Sequence, residues 1–104
     1  MTGIELIAKE RERQIEQEDY TSLHDDKHRK FELTLAAMSY CDACANRDPL
    51  AKRISDSRPT SDWPWDVDDW KPSDNVIRNL VKAGALIAAE IDRLQRRKDR
   101  GDSK

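Results

Sequence analysis

An all-α fold is predicted by two features of this 104-residue sequence. Apolar residues recur at three- and four-residue steps over long stretches, the spacing of a helix that buries one face. Nothing alternates apolar with polar over enough residues to make a strand. Three main helices follow, over about residues 3–19, 26–45 and 74–97, with a long loop rich in proline and tryptophan before the last.

The first helix opens on a capping box. Thr2 and Glu5 stand three apart, so each side chain can satisfy the other's free backbone N–H. Ile4, Ile7, Ala8 and Ile15, with Leu6 beside them, mark its expected buried edge. Lys9-Glu10-Arg11-Glu12-Arg13-Gln14 reads as a charged face of high helix propensity. Tyr20 to His24 reads as a connection. The second helix starts at Asp25 or Asp26, whose carboxylates suit the positive end of a helix. Phe31, Leu33, Leu35, Ala36, Ala37, Met38, Tyr40 and Cys41 make it apolar over most of its surface, as expected of a central helix packed on several sides.

Residues 46–72 hold all four prolines. Leu50 to Ile54 is expected to form a short helical turn. The rest is a long loop, but Trp63-Pro64-Trp65 and Trp70 argue against disorder. Each such ring removes roughly 150–250 Å² from water when covered. The segment is expected to wrap the helices and pin itself with those rings. Ser73 or Asp74 is the expected cap of the last helix. There Ile77, Leu80, Val81, Gly84, Ile87, Ala88, Ile91 and Leu94 form one stripe, with Val76, Ala83 and Leu86 beside it. A helix apolar around so much of its girth needs neighbours on more than one side. A homo-oligomer, dimer or higher, is the expected solution. Residues 1–98 read as one domain and 99–104 as a frayed basic tail.

Composition bounds the function. With 19 basic and 21 acidic side chains the net charge is −2, which disfavours bulk nucleic-acid binding. No apolar run approaches the roughly 20 residues that span a bilayer, and residues 1–7 lack the pattern of a signal peptide. Two cysteines without a secretory signal point to a reducing cytoplasm.

Four groups of residues are candidates for chemistry. His24 and His28 stand four apart, so they share a helix face; they read as helix-start capping, a phosphate contact or a zinc site. With Cys41 and Cys44 they give H-x3-H-x12-C-x2-C. One continuous helix would hold His28 and Cys41 about 20 Å apart, so the cysteines read as small, partly buried thiols. Glu32 and Glu90 lie on apolar helices and require partners; Arg78, Lys82, His28 and Arg11 are the cations available. Trp63, Trp65 and Trp70 beside Lys71 suit either a loop fastened to the core or a stacking pocket for a base, with the ammonium on a phosphate.

Glu10-Arg11-Glu12-Arg13-Gln14, His24-Asp25-Asp26-Lys27-His28, Glu32-Leu33, the W-P-W-D and W-K-P pieces, and Leu80 to Ile87 with Ala89-Glu90-Ile91 together resemble a family of small phage and prophage proteins. The E-R-x-R-Q start and the closing helix also resemble, more distantly, the MazG-type all-α nucleoside triphosphate pyrophosphohydrolases. That likeness implies an oligomeric helical bundle holding Mg²⁺ between E-x-x-E and E-x-x-D motifs. In this chain Glu32 has Arg29 and Leu35 three residues to either side, and Glu90 has Arg93 three residues on. Mg²⁺ requires a nearly octahedral oxygen shell, which these positions leave incomplete, with Glu32, Glu90 and Asp92 as the remaining metal candidates.

The expectation is therefore a phage-encoded, noncatalytic protein without a cofactor that captures a nucleotide-like anion and so sequesters a host defence signal. Its ligand residues would be Arg11, Gln14, His24, His28, Trp63, Trp65, Lys71, Arg78 and Lys82. The alternatives are a Mg²⁺-dependent pyrophosphohydrolase and an adaptor that engages a host protein through the acidic Trp loop.

Overall fold

The computed structural model describes residues 1–18, 20–27, 31–45, 63–99 and 101, with the backbone alone at 22, 24 and 45. It is all-α. Helix α1 spans Gly3–Gln17, α2 is the short Ser22–Asp25, α3 spans Glu32–Ala45 and α4 spans Val76–Asp99. A single 3₁₀ turn covers Val67–Asp69. Among the described residues there is no strand.

The capping box of α1 forms as expected: Glu5 N–H donates to Thr2 Oγ1 and Thr2 N–H to Glu5 Oε1. Those backbone bonds hold the exposed Glu5 carboxyl below its usual range. The second expected helix is divided. Asp25 ends α2 instead of opening a long helix, and α3 begins only at Glu32. Phe31 stands at the start of α3 with φ of 63°, a left-handed backbone that a side chain bearing Cβ adopts at a cost.

The last helix also starts later than expected. Asn75 accepts a bond from Ile77 N–H through its side chain, the geometry of an N-cap. Ser73 is instead clamped by a buried neighbour: its N–H donates to Asn79 Oδ1 and its carbonyl accepts from Asn79 Nδ2, both at 2.7 Å. At the other end α4 runs through Asp99, so its first residue beyond the expected domain is helical. Residues 102–104 of the expected tail and the expected turn at Leu50 to Ile54 lie outside the described residues.

The central helix is α4, not the α3 segment the sequence suggested. It packs against α3 on one side and α1 on the other. Both neighbours run antiparallel to it. Cys44 Sγ approaches the Val76 carbonyl at one end of α3, and Thr34 bonds Glu90 at the other. Along α1, Ile7 meets Gly84 while Glu10 pairs with Arg78. The core joins Leu33, Ala36, Ala37, Tyr40 and Ala43 of α3 to Ala83, Leu86 and Ala89 of α4, with Trp70 closing it. Alanines on both helices let the two backbones approach closely. At the α1 crossing Gly84 does the same: a Cβ there would stand 2.6 Å from Ile7 Cδ1.

The expected buried edge of α1 is overturned. Ile4, Ala8 and Ile15 are exposed and Ile7 is half-buried, whereas Glu10 and Gln14 are buried. Glu10 is neutralised by Arg13 and Arg78, and three further charge pairs stand elsewhere in the fold. Arg11 Nη2 bonds the fully buried Asp25 at 2.7 Å, Arg96 bonds Asp26 at 2.8 Å, and Arg93 bonds Glu90. Among the described residues no helix is long and apolar enough to cross a membrane.

Candidate ligand-binding site

Four parts of the chain enclose a cleft of about 290 Å³. From α1 come Glu10, Arg13 and Gln14, with Glu18 just beyond the helix; α3 supplies Tyr40 and α4 supplies Arg78, Lys82 and Leu86. Tyr20 and the Trp segment, through Trp63, Trp65, Asp69 and Lys71, form the remaining wall.

The aromatic wall is a continuous set of ring contacts. Trp63 meets Trp65 edge-to-face with centroids 5.4 Å apart, Trp65 leans on Tyr20 at 5.9 Å, and Tyr40 touches Trp63 and Trp70 at 5.8 and 4.7 Å. Trp70 is buried and fixes the array to the core; Trp63 and Trp65 are half-buried and keep part of each ring toward the cleft. Trp63 Nε1 donates to the Asp66 carbonyl at 2.9 Å, so the segment folds back on itself. The rings strap the segment to the core, and Trp63 and Trp65 also line the cleft.

The polar floor is built on Glu10. Its carboxylate accepts from Arg13 Nε at 2.9 Å and Nη2 at 2.8 Å, and pairs with Arg78 Nη1 at 2.6 Å. Burial alone would raise the Glu10 carboxyl, but the bonds and charges of the two guanidiniums outweigh it and hold it below its ordinary value. The hydrogen bond that Arg13 donates to Glu10 in turn raises the Arg13 guanidinium, against burial. Lys82 donates to the Lys71 carbonyl at 2.7 Å and stands 5.5 Å from the Tyr40 ring centroid. Burial, then the neighbouring Arg78 charge, lowers the Lys82 ammonium. Burial pushes Tyr40 up to about 12 and raises Tyr20 as well, so both phenols stay neutral.

One residue of the cleft's lining carries a buried, unsatisfied atom. Gln14 Oε1 is buried and accepts no hydrogen bond, while its Nε2 lies 3.4 Å from Glu10 Oε2. An acceptor withheld from water without a donor is costly. Four cations line the cleft, Arg13, Lys71, Arg78 and Lys82, against three carboxylates, Glu10, Glu18 and Asp69. The excess is one positive charge beside an aromatic wall, an arrangement suited to a flat ring carrying an anionic group.

Six of the nine ligand residues expected from sequence meet here: Gln14, Trp63, Trp65, Lys71, Arg78 and Lys82. Arg11 does not. Its guanidinium is held by Asp25 and by the Tyr20 carbonyl at 2.9 Å, which ties α1 to the connection behind the cleft. His28 and the His24 side chain lie outside the described residues. Cys41 and Cys44 form no disulfide.

The acidic metal candidates do not converge. Glu90 is buried between Arg93 and the Thr34 hydroxyl, Asp92 is exposed, and Glu32 opens α3. Among the described residues no three His, Cys, Asp or Glu side chains are grouped to hold a metal ion. The cations expected to neutralise Glu90 are engaged elsewhere, Arg78 by Glu10 and Arg11 by Asp25. Compared with known protein families, curated proteins and solved structures, the chain matches none of them.

Proposed function

We propose that this protein is a noncatalytic binding protein for a small, nucleotide-like anion, held in the cleft between α1, α4 and the Trp segment. The observation that carries the reading is the single cavity uniting Trp63 and Trp65 with Arg78 and Lys82. A base stacks on the indoles and its phosphate faces the cations. At about 290 Å³ the cleft sits at the lower edge of ordinary ligand pockets, ~300–1,000 Å³. That size suits one nucleotide unit. The absence of catalysis is argued from Glu90, whose carboxylate is already neutralised by Arg93 and so is poorly placed to recruit Mg²⁺. Capture without turnover is what sequestration of a host defence nucleotide by a phage protein requires.

Isothermal titration against a panel of mononucleotides and cyclic nucleotides tests this. Saturable heat with at least one of them, lost in Arg78→Ala and in Trp63→Ala, is expected. No heat with any at protein concentrations of tens of micromolar ends the reading. Release of pyrophosphate from a nucleoside triphosphate with Mg²⁺, abolished in Glu90→Gln, would replace it with the enzymatic one.

A further inference from the structure

The outer face of α4 carries an apolar ridge that the described residues leave uncovered. Val76, Leu80, Ile87, Ile91 and Leu94 are each between 36% and 52% exposed, and Met38 of α3, beside Ile87, is 49% exposed. The ridge residues follow steps of three, four and seven, so they stay on one side of the helix, while Ala83 and Gly84 between Leu80 and Ile87 face α3 and Ile7 of α1. Between Met38 and Ile87 the ridge borders a shallow apolar groove of about 380 Å³ that also touches Ala37 and Cys41.

We infer that a second copy of this chain covers this ridge, the two α4 helices crossing antiparallel about a two-fold axis at Ile87. Three observations select that occupant. The first is symmetry: Leu80 and Leu94 lie seven residues, about 10 Å, on either side of Ile87. Antiparallel pairing therefore sets Leu80 against the partner's Leu94, and Ile87 against its own counterpart. A closed two-fold contact needs such a self-complementary face.

Charge is the second. The ridge ends at exposed Lys98, and exposed Asp74 precedes its other end. Antiparallel pairing brings Lys98 to the partner's Asp74, whereas parallel pairing sets like charges together. Area is the third. The six side chains leave roughly 500 Å² in the open, near the upper end for the largest patch on a monomer (~300–600 Å²). Their burial supplies over half of the about 800 Å² per partner that a stable interface removes from water; Ile77, 61% exposed beside the ridge, adds to it. The face lies opposite the buried side of α4, so pairing leaves the ligand cleft open and does not depend on the reading given to it.

Sedimentation velocity and light scattering test the pairing. The wild-type protein is expected to run at twice the 12.1 kDa chain mass at high micromolar concentration. Ile87→Glu should run at the single-chain mass with an unchanged far-ultraviolet circular dichroism spectrum, because Ile87 is exposed in the single chain. In a Cys41→Ser, Cys44→Ser background, mixing Leu80→Cys with Leu94→Cys should give a disulfide-linked pair on oxidation, well above either variant alone. A single-chain mass for the wild type, an undiminished dimer in Ile87→Glu, or cross-linking that favours Leu80→Cys with itself would each overturn the inference.

Discussion

Replacing Glu10 by Gln probes the floor of the cleft. The carboxylate is buried and binds Arg13 through two bonds and Arg78 through one, all between 2.6 and 2.9 Å. Breaking a buried ion pair from one side costs about 3–5 kcal/mol when the stranded charge stays dry. Here the side chains of Arg13 and Arg78 are 30% and 36% exposed. They regain water, and the Gln carbonyl keeps one weaker bond, so the expected loss is about 2–3 kcal/mol. For a domain of this size each kcal/mol moves the melting temperature by about 4–8 °C, so a drop of about 10–20 °C is expected by calorimetry.

The acid limb of the stability curve should change too. Glu10 has a lowered carboxyl in the folded state. Its stabilisation is therefore complete above the ordinary glutamate value of about 4.3 and is lost as pH falls through the lowered folded value. Glu10→Gln removes that contribution, so its stability should fall less steeply below about pH 4.3 than that of the wild type. The same substitution releases two guanidinium charges toward the cleft, so the affinity for an anionic nucleotide should rise. A melting temperature within about 2 °C of wild type, equivalent to less than 0.5 kcal/mol, would refute the structural role given to this carboxylate.

Three further outcomes follow from the same geometry. Gln14→Leu removes a buried acceptor that has no donor; it should raise stability by about 1 kcal/mol in urea denaturation. Gly84→Ala gains about 1 kcal/mol of helix propensity but drives a methyl to within 2.6 Å of Ile7 Cδ1. Alone it should be neutral or destabilising, whereas with Ile7→Ala, which deletes both Cδ1 and the Cγ1 that would stand 2.9 Å away, the pair should show favourable coupling in a double-mutant cycle. Because the Lys82 ammonium is lowered by burial and by Arg78, raising the pH from neutral toward about 10 should remove its proton ahead of an ordinary lysine. Anion affinity by titration calorimetry should fall over that range and the fall should flatten in Lys82→Gln.

Periodicity made the helices legible, and Thr2 with Glu5 placed the first of them. Its failure in α1 is instructive. The Lys9 to Gln14 run looked like one solvated face because its residues are charged, yet Ile7, Glu10 and Gln14 recur at three- and four-residue steps. That stripe meets α4, with polar groups where a core helix carries apolar ones. Polar side chains in register with a buried face were the signal that would have found Glu10. The division between α2 and α3 was illegible because nothing about Phe31 marks it for a left-handed backbone. Six residues that line the cleft stood out in the sequence because Trp, Lys, Arg and Gln advertise stacking and anion contacts by type. Tyr20 and Tyr40 were read as connection and core; their place in the wall depends on tertiary packing that brings the Trp segment across the helix ends.

The central claim is that the cleft beside Trp63 and Trp65 holds a nucleotide. All three tryptophans belong to its aromatic cluster, so intrinsic fluorescence reports directly on it. Titration with adenosine and guanosine monophosphates and with cyclic dinucleotides should produce a saturable change in indole emission with at least one compound, abolished in Arg78→Ala without loss of the folded spectrum. Emission that stays constant to millimolar concentrations of every compound, with calorimetry silent, would contradict the account.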